Sequence, residues 1–209
     1  MAILLPPLRA LVRTAQRKKR ERFGPIPRRM RELTEVPYHL TRTTFRDKPF
    51  MFFFYEFEFR DANGCRRRTK VLAFATRKNL RRLFRSIRIF IDGTFKIVPY
   101  PFGRYRGGQL LTISSLYGDK NQERLYPRIY ILIGSKRQDL YESVIENVLL
   151  RGARWLGVAR RDLPTVVKWE MFTTDFEPAL RNAIQRVCFA LLLRWLRALG
   201  CHFHFVKVT

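Results

Sequence analysis

Arg88-Ile89-Phe90-Ile91-Asp92-Gly93-Thr94-Phe95-Lys96-Ile97-Val98-Pro99 is a β-branched and aromatic run with one carboxylate in its middle. Its composition predicts a strand over 88–98, ended by Pro99, which can neither donate to a ladder nor continue it. A carboxylate inside a buried strand is costly unless it is hydrogen-bonded, paired or metal-bound. Asp92 is therefore expected to have such a partner. A second acid appears in similar surroundings at Met171-Phe172-Thr173-Thr174-Asp175-Phe176-Glu177. Two strand-end acids in one basic chain point to a divalent-cation site working on a phosphate backbone.

Outward from that strand, the pattern predicts the order of elements. Upstream, Pro49 to Phe59 alternates aromatic and acidic residues at its end, Asn63-Gly64 is a turn signal, and Arg66 to Ala75 alternates again. A β-hairpin over 50–75 follows. Thr76 is placed to cap a helix to about 86, with Leu80, Leu83, Phe84 and Ile87 on its inner face. Downstream, strands are expected at 109–117 and 126–134, and the short turns between them suit an antiparallel meander. A helix over 136–150 carries Leu140, Tyr141, Val144, Ile145, Val148 and Leu149 as its apolar stripe, and Gly152 and Gly157 loosen the connection after it. A fourth strand is centred on 169–174, and a helix opens after Asp175 and runs on through the apolar stretch to 199. A fifth strand then begins at Cys201. Glu177 reads as a first-turn acid favoured by the helix dipole.

The chain has 209 residues, 46% of them apolar, enough for one sizeable core. Its formal net charge is +25, which predicts attraction to a polyanion, either nucleic acid or an anionic membrane surface. The charge is uneven. Residues 1–31 hold ten Lys/Arg against Glu21 alone, and residues 60–88 hold eleven against Asp61 alone. From 89 onward eighteen bases meet ten acids, an ordinary mixture. The helix after Thr76 presents Arg77, Lys78, Arg81, Arg82 and Arg85 with no acid among them, so like charges repel unless an anion is bound. These residues and Lys96 are the candidate nucleic-acid contacts.

Three widely spaced cysteines imply no disulfide framework. No apolar run reaches the roughly 18–20 residues of a membrane span. The acid-free start of the chain resembles an organellar transit peptide, while Arg17-Lys18-Lys19-Arg20 reads equally as a nuclear-import patch. The expected location is the nucleus, with the mitochondrion as the alternative. Neither a Ser/His/Asp nor a Cys/His nucleophile set is suggested, and Gly103 to Gly108 lacks the strand-loop-helix context of a nucleotide loop.

Three antiparallel strands, a helix, a parallel strand, a helix and a further strand make the order of an RNase H-like α/β core. The strings go further. Phe90-Ile91-Asp92-Gly93-Thr94-Phe95-Lys96-Ile97-Val98-Pro99, Gln109-Leu110-Leu111-Thr112-Ile113, Thr174-Asp175-Phe176-Glu177-Pro178-Ala179-Leu180 and Gly200-Cys201-His202-Phe203-His204-Phe205 resemble the Mutator-like (MULE) transposase domain. Val71 to Leu80 and Tyr126 to Lys136 resemble the flanking segments of that family, so the likeness covers about 70–205 in order.

Charge and alternation divide the chain into a basic N-terminal arm over 1–48 and a hairpin and basic helix over 49–87, and the resemblance implies a partial transposase domain over 88–209. It implies metal-dependent DNA strand cleavage and transfer, with Asp92 and Asp175 as the first two acids of a DDE triad holding Mg²⁺ or Mn²⁺. DNA is the implied partner, a membrane is not, and an oligomer is open. The family's third acid, a Glu, lies on a helix beyond the fifth strand and has no counterpart before Thr209. The expectation is therefore a transposase-derived DNA-binding protein that is inactive for want of that acid. The alternatives are a domesticated binding module and a basic organellar or membrane-surface protein. Cys201 and His204 form a Cys-x-x-His pair, half of a zinc set, read here as fifth-strand residues.

Overall fold

A computed structural model describes residues 32–43, 46–95, 98, 102, 107–117, 123–175, 177–193 and 196–200. Seven strands form one mixed sheet flanked by four helices. In chain order the elements are β1 (Met51–Arg60), β2 (Arg66–Ala75), α1 (Arg77–Phe84), β3 (Arg88–Thr94), β4 (Gln109–Tyr117) and β5 (Arg124–Ile133). They continue with α2 (Gln138–Leu156), the short α3 (Leu163–Val166), β6 (Met171–Thr174), α4 (Pro178–Ala190) and β7 (Arg197–Gly200). The spatial order is β1-β2-β5-β4-β3-β6-β7. Pairings from β1 to β3 across the sheet are antiparallel, and β3–β6 and β6–β7 are parallel.

Strand alternation decides which side chains meet the helices. Ile89 and Ile91 of β3, Leu111 and Ile113 of β4, and Ile129, Ile131 and Ile133 of β5 are buried with the inner faces of α1, α2 and α4. The six apolar residues expected on α2 are all fully buried. The opposite sheet face carries a smaller cluster in which Leu33, Leu72 and Phe102 are buried beside Phe54 and Phe74. The hairpin is continuous with the rest of the sheet, because Leu72 to Ala75 pair with Ile129 to Leu132. No helix among the described residues is long and apolar enough to cross a membrane.

Thr76 caps α1 as expected, its hydroxyl accepting from the Asn79 amide at 3.1 Å. Four expectations need correction. First, α2 runs past 150 to Leu156, with Gly152 inside it. That glycine lets α1 approach, since a Cβ there would lie 2.7 Å from the buried Phe84 ring. The turn belongs to Gly157, which caps the helix at φ +77°. Second, Ile87 is about half exposed, because α1 ends at Phe84 and the chain bends before β3. Third, the helix after Asp175 stops at Ala190. Leu192 adopts φ +57° and reverses the chain. Fourth, the fifth strand starts at Arg197, where it pairs with Met171 of β6. Cys201, His204 and the expected 201–206 strand lie outside the described residues, as do Lys96 and residues 1–31 of the expected 1–48 arm.

Candidate functional site

The site is built at the C-terminal ends of two neighbouring parallel strands. In the β3–β6 register Arg88 pairs with Met171 and Ile91 with Thr174. Asp92 is the residue after Ile91, and Asp175 is the residue after Thr174. Two chain positions far apart in sequence are thus brought onto neighbouring strands about 4.8 Å apart, Asp92 within β3 and Asp175 just past the end of β6. Thr174 donates a hydroxyl hydrogen bond to the Asp175 carboxylate at 3.1 Å.

The expectation that Asp92 is buried is overturned. Ile89 and Ile91 take the helix-covered face, so alternation turns Asp92 to the other face, where it is exposed. Its presence in the strand therefore carries no desolvation cost that demands a partner. What singles it out is the neighbour across the parallel pair.

Glu177 is also corrected. It occupies the N-cap position of α4 but makes no side-chain cap bond. Its carboxylate instead accepts a hydrogen bond from the Tyr141 hydroxyl at 2.9 Å and lies 3.9 Å from the Lys136 ammonium. Burial raises its pKa, and Asp175 adds to that rise, while Tyr141 and Lys136 oppose it. Tyr141, fully buried on α2, is pushed up by burial first and then by the Glu177 charge. The Gln109 side-chain amide donates to the same Tyr141 oxygen. Lys136 also sits 4.2 Å from the centre of the Phe95 ring. A chain of polar groups therefore runs from β4 through α2 to the start of α4, directly beside Asp175.

Gly93 is what admits it. A Cβ at this position would lie 2.3 Å from Gln109 Oε1. The glycine after Asp92 leaves room for the Gln109 side chain to cross β3 and reach Tyr141. None of this is readable locally, since Gln109, Tyr141 and Glu177 are each more than thirty positions from the next.

Hard divalent cations take oxygen ligands, and two carboxylates such as Asp92 and Asp175 could supply only part of such a set. No group of three or more His, Cys, Asp or Glu side chains capable of holding a metal ion occurs among the described residues. The described residues therefore do not fit a two-ion centre.

The basic surface divides into two parts. Across the hairpin, Glu56 opposes Lys70 and Glu58 opposes Arg68. Arg68 lies 2.9 Å from Glu58, and Arg67 lies 2.8 Å from Asp61. The hairpin's charge is thus largely answered by acids on β1 and in its turn. On α1 the situation differs. Arg77, Lys78, Arg81 and Arg85 are exposed, and Arg82 is half-buried with its guanidinium 4.2 Å from the Tyr117 ring centre. Basic side chains at the end of α1 also complement its dipole, which accounts for Arg81 and Arg82 but not for Arg77 and Lys78.

Comparison with protein-family models, with curated proteins and with solved structures finds no match to the chain.

Proposed function

We propose that the chain is a transposase-derived, DNA-binding protein with an RNase H-like core from Arg88 onward, holding a single divalent cation between Asp92 and Asp175. The observation that carries this reading is the parallel β3–β6 register, in which Ile91 pairs with Thr174 and each acid is the next residue along the chain. The spatial order β5-β4-β3-β6-β7, antiparallel through β3 and parallel beyond it, supports the same topology. Bound there, Mg²⁺ would offset charge on a phosphate oxygen. Asp92 and Asp175 would orient it, and the exposed bases of α1 would hold the strand.

A second reading, a binding module that has dropped the chemistry, is favoured by Glu177. The acid nearest to Asp175 in sequence is engaged with Tyr141 and Lys136. Losing one of two ions removes several kcal/mol of barrier stabilisation. The chain alone is therefore expected to bind DNA without cutting it. The test is a Mg²⁺- or Mn²⁺-dependent nicking assay with Asp92→Ala and Asp175→Ala controls, beside fluorescence-anisotropy binding at several salt concentrations. Salt-sensitive binding without nicking supports the proposal. Robust nicking abolished by either substitution overturns the inactivity, and salt-independent binding overturns the DNA-binding reading.

A further inference from the structure

At the opposite end of β3 from Asp92, about 13 Å away along the strand, lies a groove of ≈ 910 Å³. Arg82 and Arg85 from α1, Arg88 from β3 and Arg128 from β5 line it, with Tyr117 and a single exposed acid, Glu123. Arg128 sets this groove apart from an ordinary basic surface, since only 3% of it is exposed.

The burial of Arg128 is built into the sheet. Ile113 pairs with Ile129 but Ser114 pairs with Pro127, so Arg128 is the extra residue of a β-bulge. Pro127 has no N–H to give the ladder, which is why the irregularity falls there. A bulge re-aims a side chain. Arg128 and Ile129 are consequently both buried, where alternation would have exposed one of them. The Arg128 Nε donates to Ser115 Oγ at 2.9 Å. One terminal guanidinium nitrogen is buried with no hydrogen-bond partner among the described residues. The rings of Tyr117 and Tyr126 flank the guanidinium at 5.7 and 5.4 Å.

A buried guanidinium with an unused donor and, among the described residues, no carboxylate against it is electrostatically unbalanced. Burial lowers the Arg128 pKa, and the neighbouring Arg82 charge lowers it further. Helix-dipole complementarity explains Arg82 but neither Arg88 nor Arg128, which lie on strands. An anion resolves every one of these features, and the fork of a guanidinium matches the paired oxygens of a phosphate.

We propose that the groove formed by Arg82, Arg85, Arg88 and Arg128 is a binding site for a phosphate ester, with Arg128 as its innermost donor. The source is either a free nucleotide or the backbone of a nucleic-acid strand. The site is separate from the Asp92–Asp175 pair and stands whether or not that pair binds a cation.

The test is calorimetric titration of the full chain at constant ionic strength, with adenosine 5′-monophosphate in one arm and a short single-stranded oligonucleotide in the other. Arg128→Met, Arg88→Gln and a control outside the groove, Arg154→Gln at an exposed position of α2, are compared with the parent chain. Both groove variants are expected to lose about 10-fold or more in affinity, with the control losing less. A response in the nucleotide arm identifies a free nucleotide as sufficient. A response in the strand arm alone identifies backbone phosphates. Arg128→Met is also expected to unfold at a higher temperature than the parent chain without ligand, because it removes an unbalanced buried charge. Failure of the parent chain to bind either probe overturns the proposal. So does equal loss in Arg154→Gln and Arg88→Gln. Arg88 is exposed, so its variant keeps the test valid if Arg128→Met does not fold.

Discussion

Replacing Gly93 with alanine tests the packing that surrounds the acid pair. The new Cβ would sit 2.3 Å from Gln109 Oε1, roughly 1 Å inside ordinary contact. Gln109 is fully buried and its amide is committed to Tyr141, so it can yield only by breaking that bond. Losing a buried hydrogen bond and stranding its partner costs about 1–3 kcal/mol. Alanine in a strand recovers about 0.5–1 kcal/mol relative to glycine. The net loss is about 0–2.5 kcal/mol. In a chain of this size that lowers the thermal midpoint by about 2–4 °C per kcal/mol. The decisive version is a double-mutant cycle read by urea denaturation. In a Gln109→Ala background the Phe95 ring, at an ordinary 3.8 Å, replaces Gln109 as the neighbour of the Cβ, so Gly93→Ala should be neutral or slightly stabilising. Equal cost in both backgrounds would refute the claim that Gly93 exists to let Gln109 cross β3.

Three further outcomes follow from particular contacts. The folded-state pKa of Glu177 is raised above its unfolded value of about 4.3. Its stabilising contribution is therefore full below the unfolded pKa and is lost as pH rises through the folded pKa. Glu177→Gln should accordingly be more stable than the parent chain at about pH 8, with the gap closing by about pH 4, as denaturant midpoints across pH will read. Gly152→Ala gains about 1 kcal/mol of helix propensity but drives a Cβ to 2.7 Å from Phe84, and overpacking costs about 1–3 kcal/mol. The ring is held edge-on to Trp169, so a net loss of up to about 2 kcal/mol is expected, relieved when Phe84→Leu is added. Strict additivity of the two substitutions would contradict this. In DNA binding, Arg77→Gln should reduce the slope of log affinity against log salt by about 0.9. Arg68→Gln should reduce it less, because Glu56 and Glu58 already offset that charge. Equal slopes for the two variants would show that the hairpin and α1 are not distinct surfaces.

The strands and helices were legible where burial follows a local period. Ile89 and Ile91 in β3, and the Leu140 to Leu149 stripe of α2, announce their elements because one face meets a core. What was not legible depends on partners distant in sequence. The apolar stretch after Ala190 reads as more helix, yet Leu192 turns the chain and Arg197 to Gly200 complete the sheet against β6. Parallel pairing of that kind leaves no local mark. Burial of Asp92 was inferred from its apolar neighbours, but alternation alone does not say which sheet face the helices cover. Glu177 looked like a helix-start acid because Tyr141, its partner, lies on another element. Arg128 had one local signal, Pro127 inside a strand, which marks a bulge and hence a side chain that leaves the alternation.

The most direct test of the Asp92–Asp175 pair is Mn²⁺ titration followed by electron paramagnetic resonance, which reports the loss of the free-ion signal. About one weakly held ion per chain is expected, lost in both Asp92→Asn and Asp175→Asn. The titration of Glu146→Gln, which alters an exposed acid on α2, is expected to be unchanged. Identical titrations for the parent chain and the two aspartate variants would contradict the shared cation site.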